Sequence, residues 1–244
     1  MNILIMRDYN EISRQAALLV AASIALKPNL VLGLPTGRTP IRMYKELVVI
    51  YKNGFVNFSD VVTFNIDEYI GLPRENPNSF YSYMHNNFFR HINIKKENIH
   101  IPNGMAKDIK KECVRYENLI RKKGPIDLMI LGIGYNGHIG FNEPSDEFIP
   151  ETHVEVLTER TRMANSRYFG SLAKVPSEAI TMGLGTIMHS KKIILLASGR
   201  DKAETILRAV KGNITPRFPA SILRLHRDCT FILDRDAAGL IKKK

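Results

Sequence analysis

The sequence predicts an α/β protein: a mostly parallel open sheet of about seven strands, Rossmann-like, with helices on both faces and a lid segment. Three observations predict it. Short β-rich apolar runs recur, several of them apolar at consecutive positions (Leu128-Met129-Ile130-Leu131, Ile193-Ile194-Leu195-Leu196), as strands buried on both faces require. Amphipathic stretches alternate with them, which implies parallel strands joined by crossover helices. No linker, repeat or low-complexity stretch divides the 244 residues, so 1–244 reads as one domain, with a mobile lid at about 145–174.

In chain order, Asn2–Met6 reads as a strand and Glu11–Leu26 as a helix. Strand Leu30–Leu34 precedes helix Pro40–Asn53, and strand Val61–Ile66 precedes helix Ser79–His91. In the next helix Ile109, Cys113, Tyr116 and Ile120 fall on one face. Strands Asp127–Ile133 and His153–Leu157 follow, then helix Thr161–Ser171. Strand Ile193–Ala197, helix Asp201–Lys211 and strand Thr230–Leu233 complete the series.

With 44% hydrophobic and 24% charged residues the composition is globular and excludes disorder, collagen and coiled coil. No apolar run reaches the length of a membrane span, and Met1–Arg7 lacks the pattern of a signal peptide. Cys113 and Cys229 form no CxxC and read as reduced, buried residues. A soluble cytoplasmic protein without a membrane partner is expected. The net charge of +11, from 35 Lys plus Arg against 24 Asp plus Glu, attracts anions, either nucleic acid or a phosphorylated small molecule. The basic pairs and runs, at 95–96, 110–111, 121–123, 191–192 and the Lys242-Lys243-Lys244 tail, are scattered and not interleaved with aromatics, which argues against a nucleic-acid groove.

Ligands of open parallel sheets bind beyond the carboxyl ends of the strands, so the loops following strands carry the chemistry. The first, Gly33-Leu34-Pro35-Thr36-Gly37-Arg38-Thr39-Pro40, is a Gly-containing turn with Thr39 placed as helix N-cap and Pro40 as first helical residue, a ready anion site that lacks the ending of a P-loop. In the second, Asp67 and Glu68 end an apolar strand. Neighbouring side chains point opposite ways, so one acid faces the cleft, where burial suits it to general base work. The third, Gly132–Pro144, opens as G-x-G-x-x-G, but Gly140 and Pro144 interrupt any following helix, against dinucleotide binding. It carries His138 with Glu143 and Asn136, a candidate acid–base group. In the fourth, Ser198–Ala203, Asp201 is placed to cap a helix whose first turn holds Lys202, a cation misplaced unless an anion binds nearby; Arg167 is a second candidate cation. The sequence shows no metal-ligand cluster and no G-x-S-x-G nucleophile elbow.

These loops, in this order, resemble the glucosamine-6-phosphate deaminase (isomerase/deaminase) family. The resemblance runs from about Met1 to Asp236 and includes GLPTGRTP at 33–40, FNIDEYIGLP at 64–73, NSFYSYMHNNFF at 78–89, GIGYNGHIGFNEP at 132–144, ANSRYF at 164–169, ITMGLGTIM at 180–188 and SGRDKA at 198–203. It implies conversion of glucosamine 6-phosphate and water to fructose 6-phosphate and ammonia, with no redox cofactor and no catalytic metal. It further implies that His138, assisted by Glu143 and Asn136, opens the sugar ring and that Asp67 takes the C2 proton. The phosphate would lie on Pro35, Thr36, Gly37, Arg38 and Thr39, with Gly132 beside the substrate and Arg167 and Lys202 as cationic partners.

Two departures from the family pattern follow. Better-known members carry Asp where this chain has Asn136; a neutral amide cannot hold His138 as a cation, so the His must rely on Glu143. Regulated hexameric members bind an N-acetylated sugar phosphate through basic residues and a longer C-terminus. Here that stretch is acidic, with Glu151 and Glu155, and the sequence stops at Lys244, so no allosteric activation is expected and the oligomeric state stays open. Related folds also serve as sugar-phosphate sensors in transcription regulators and as 6-phosphogluconolactonases. The sensor lacks a need for Asp67 and His138 together, and the lactonase lacks a need for a carbon-acid base at Asp67.

Overall fold

In the computed structural model, which describes residues 1–241, the chain runs β1 (Asn2–Met6), α1 (Tyr9–Leu26), β2 (Val31–Leu34), α2 (Ile41–Lys52), β3 (Val62–Asn65), β4 (Asp67–Tyr69) and α3 (Phe80–Asn87). It continues through β5 (Ile99–His100), α4 (Ile109–Lys123), β6 (Leu128–Leu131), β7 (His153–Val156), α5 (Glu159–Phe169), β8 (Glu178–Thr181), α6 (Leu184–Met188), β9 (Lys192–Ala197), α7 (Ala203–Lys211) and β10 (Cys229–Asp234). Seven strands pair in parallel in the order β1-β10-β9-β6-β2-β3-β5, as the consecutive apolar runs predict.

Strand alternation divides the core into two layers. Leu32, Leu34, Leu128, Ile130, Ile194 and Leu196 pack with buried residues of α1, α2 and α3 on one face. Val31, Met129, Leu131, Ile193 and Leu195 pack with α4, α6 and α7 on the other. Cys113 and Cys229 are both free and buried, as read from the sequence. Among the described residues no helix is long and apolar enough to cross a membrane. The Lys242-Lys243-Lys244 tail lies outside the described residues.

One expected strand belongs elsewhere. The run at 153–157 forms β7, which pairs antiparallel with β8, and β8 with β4, in a separate three-stranded sheet. The seventh parallel strand is instead β5, whose two residues are too few to show a period. The chain changes sheets at Ile66. Its N–H still donates to Leu34 O, continuing the parallel ladder, while its carbonyl accepts from Met182 N of the small sheet's surroundings. Asp67 and Glu68 therefore do not end β3; they begin β4.

This topology fixes where a ligand can sit. From β2 the chain proceeds outward to β3 and β5, and from β6 it proceeds the other way to β9 and β10, so strand order reverses between β2 and β6. The crevice beyond the carboxyl ends of these strands is the switch point where α/β sheets bind ligands. The segments after β3, β2, β6 and β9 flank it in that spatial order.

Candidate active site

The turn after β2 is held from outside by three tyrosines. Tyr44 Oη donates to Pro35 O (2.5 Å), Tyr83 Oη to Gly37 O (2.5 Å), and Tyr9 Oη to Arg38 O and Thr39 O (3.0 and 3.1 Å). With the carbonyls engaged on the outside and Gly37 at φ +98°, the N–H groups of Thr36 to Thr39 are left without protein acceptors among the described residues. This is the arrangement of an anion-binding nest. The expected Thr39 cap is not formed. Ile41 N closes a turn onto Arg38 O, Pro40 occupies the cap position with helical dihedrals, and α2 begins at Ile41 without a side-chain cap.

The two adjacent acids separate as the alternation of an extended segment requires. Glu68 accepts from the backbone N–H groups of Tyr69, Phe80 and Tyr81 (each 2.9 Å), so it caps the start of α3. Asp67 is 7% exposed, and its Oδ1 is buried with no hydrogen-bond partner. Burial, with the Glu68 carboxylate beside it, pushes Asp67 up to about 8. A buried acid left unsatisfied is costly to the fold and marks a site of function rather than packing.

The segment after β6 contains no helix; the next one is α5, so the G-x-G-x-x-G match lacks the context of dinucleotide binding. It docks instead on the small sheet. Phe141 N donates to Thr181 Oγ1 (3.1 Å), and Thr181 is the register partner of Asp67. Asn142 Nδ2 donates to Ile139 O and Met182 O. These bonds tie the segment that carries the acid–base group to β8, the strand paired with Asp67's own. A Cβ at Gly134 would strike the His138 imidazole, so glycine there makes room for the ring. His138 Nδ1 lies 3.7 Å from Glu143 Oε2, an ion-pair distance longer than a hydrogen bond. Asn136 Nδ2 donates to Glu143 Oε2 (2.6 Å), and Thr158 Oγ1 donates to Glu143 Oε1 (3.2 Å). Burial opposes the Glu143 charge, but His138, Thr161 and Asn136 outweigh it and hold the carboxyl down to about 2. Asn136 thus acts on the carboxylate, and its Oδ1 also accepts from His138 N (3.2 Å).

After β9, Gly199 N donates to the Asp234 carboxylate, and residues Arg200–Lys202 form a 3-10 turn before α7 begins at Ala203. Asp201 therefore does not cap the helix; it accepts from Tyr135 Oη (2.8 Å). Lys202, at the cap position, donates to Ile133 O (2.9 Å) and lies 3.6 Å from the centroid of the Tyr135 ring. Burial, with Arg160 adding to it against Asp201, lowers Lys202 to about 8. Arg167, in the last turn of α5, and Arg38 weakly oppose the rise that Asp201 causes in the Tyr135 hydroxyl, and the Arg167 guanidinium lies 5.0 Å from the centroid of the Tyr168 ring. Gly132 has open space where a side chain would stand. Sequence reasoning missed Tyr9, Tyr44, Tyr83, Thr181 and Arg160. The tyrosines act across 9 to 46 residues, which no local spacing reveals.

The chain matches the family described as glucosamine-6-phosphate isomerases/6-phosphogluconolactonase over residues 9–232. A glucosamine-6-phosphate deaminase of Thermoanaerobacter sp. (strain X514) is 56% identical over 241 residues, covering 99% of this chain and 95% of that protein. One of Clostridium botulinum (strain Langeland) is 56% identical over 244 residues and covers both chains in full, 100% of each. The solved structure of a monomeric glucosamine-6-phosphate deaminase superposes with a TM-score of 0.96 at 48% identity, covering 98% of this chain and 100% of that one. A 6-phosphogluconolactonase from Trypanosoma cruzi, with a TM-score of 0.77 at 21% identity over 99% of this chain and 97% of its own, shares the fold.

Proposed function

The chain belongs to the glucosamine-6-phosphate isomerase/6-phosphogluconolactonase family, and from that premise we propose that it converts glucosamine 6-phosphate and water to fructose 6-phosphate and ammonia. The observation that carries this reading is the buried, unpartnered Oδ1 of Asp67 at the start of β4, with the segment that holds His138 and Glu143 bonded to the neighbouring strand β8. A lactone hydrolase has no need of a carbon-acid base there.

The substrate phosphate rests on the N–H groups of Thr36 to Thr39, with Arg38, Arg167 and Lys202 as cationic partners and Gly132 leaving room for the sugar. His138, steadied by Glu143 and, through it, Asn136, transfers the anomeric hydroxyl proton to the ring oxygen and opens the pyranose to the aldehyde. Asp67 then takes the C2 hydrogen. The C–H electron pair forms the C1=C2 bond as the aldehyde oxygen gains a proton, giving the enolamine. Protonation at C1 leaves an iminium at C2; water adds to it, and the C–N bond breaks to release ammonia. C1 is reduced as C2 is oxidised, so the balance needs no external oxidant or reductant.

Burial keeps Asp67 mostly protonated in the free enzyme near neutral pH, and the substrate's C2 ammonium supplies the opposite charge that favours the basic form. The segment at about 145–174 serves as a lid, its helix α5 tied at Thr158 to Glu143 and so to the acid–base group. The setting is cytoplasmic, and the ligand a small sugar phosphate rather than nucleic acid.

Ammonia release from glucosamine 6-phosphate in a coupled assay tests the reading. Stoichiometric ammonia and fructose 6-phosphate are expected. Hydrolysis of 6-phosphogluconolactone without ammonia release would replace this function with the lactonase one.

A further inference from the structure

Lys202, from the segment after β9, and Arg160, from α5, stand over the Tyr135 ring. Lys202 Nζ lies 3.6 Å and Arg160 Cζ 5.9 Å from its centroid, while Arg167 and Arg38 act on its hydroxyl. Tyr135 is held twice, by its hydroxyl bond to Asp201 (2.8 Å) and by Thr205 Oγ1, which donates to its backbone carbonyl (3.2 Å). Among the described residues, none of the four cations has a carboxylate oxygen within 4 Å. Arg160 is the least explained of them. It is exposed, it stands in the first turn of α5 where the helix dipole disfavours a cation, and its charge works against that of Lys202. Like charges gathered on one ring become favourable when an anion joins them.

We propose that Arg160 is a further phosphate-binding residue, held with Lys202 on the Tyr135 ring so that α5, in its closed position, completes the phosphate site. Tyr135 is then a positioning residue: it touches the two cations and carries no reacting atom. The proposal rests on the deaminase reading only for the identity of the anion's carrier. It sets this chain's phosphate site apart from one made of the β2 turn, Arg167 and Lys202 alone.

The test measures KM and kcat with glucosamine 6-phosphate, and competitive inhibition by inorganic phosphate, for wild type, Arg160→Ala, Arg160→Lys and Tyr135→Leu. Arg160→Ala should raise KM and the phosphate inhibition constant together by about tenfold, the lower end for a charge-assisted contact, with kcat within about twofold. Arg160→Lys should recover much of the loss. Tyr135→Leu should weaken phosphate binding as well, and adding Arg160→Ala to it should cost less than the two changes summed. Lys52→Ala, exposed at the end of α2, is the control and should change neither constant. If Arg160→Ala keeps wild-type KM and wild-type phosphate inhibition, the proposal is overturned. If wild type releases no ammonia, but phosphate stabilises it thermally and Arg160→Ala abolishes that stabilisation, the site stands and the substrate assignment fails instead.

Discussion

Asp67 and Glu143 are 7% and 4% exposed, the first in a strand ladder and the second among side-chain donors. Arg38, Arg160 and Arg167 lie open to solvent on a turn and on one helix. The difference follows from what each half has to do. A base for a C–H proton needs a raised pKa, which comes from removing water, and at the junction of two sheets at Ile66 the Asp67 carboxyl is buried with one oxygen that no donor satisfies. Capture of a hydrated phosphate needs cations that reach into water, and those can stand on mobile elements.

The comparison breaks most visibly at Asp67. Asp67→Asn should lower kcat by about 10²–10⁴, the worth of a general base, with KM nearly unchanged. The same change should stabilise the fold, in a pH-dependent way. The folded pKa, about 8, lies above the unfolded one, so wild type loses stability as pH rises from about 4 to 8, when the unfolded chain ionises and the folded one resists. The Tm difference in favour of the Asn variant should be small at pH 4 and grow to several degrees by pH 8, at about 2–4 °C per kcal/mol. Wild-type kcat/KM for the free enzyme should climb over the same range as the base form appears.

Glu143→Gln should cost about 10² in kcat, because it removes the charge beside His138 without removing the imidazole. Arg167→Ala and Lys202→Ala sharpen the contrast from the other side. Each should raise KM about 10- to 150-fold and leave kcat close to wild type, with unphosphorylated glucosamine insensitive to either. A kcat loss exceeding the KM change at either position would mean that the cations share in the chemistry.

The smallest expected effect is on regulation. N-acetylglucosamine 6-phosphate should leave the rate curve hyperbolic and unshifted. On β7, His153 Nε2 faces Glu155 Oε2 at 3.3 Å, its Nδ1 faces Glu151 O, and Arg121 is paired with Glu151. A phosphorylated effector would find carboxylates there, or a cation already occupied. A sigmoidal curve made hyperbolic by that ligand would contradict this.

How far the sequence carried depended on the range of the interaction. The parallel strands showed in their consecutive apolar runs, and Asp67, His138, Glu143 and Lys202 stood out because their residue types conflict with their local setting. The small sheet stayed hidden. Its strands β4 and β8 are three and four residues long, and the chain leaves β3 for β4 across the single residue Ile66, where nothing in FNIDEY marks a change of partner. Helix caps failed for a related reason: Thr39 and Asp201 have the right chemistry for caps, but a backbone turn at Arg38 and the Tyr135 hydroxyl claimed those positions. Arg160 carries no local signal in the sequence; the fold places it over Tyr135.

The central claim is that Asp67 takes the C2 proton, and hydrogen exchange tests it directly. Glucosamine 6-phosphate incubated with enzyme in D₂O can be followed by NMR at C2, alongside interconversion of its anomers as a measure of ring opening. The account predicts that wild type washes out the C2 hydrogen, and that Asp67→Asn loses this exchange in step with turnover while ring opening through His138 and Glu143 continues. Wild-type exchange at C2 in the Asn variant would assign the proton abstraction to another group.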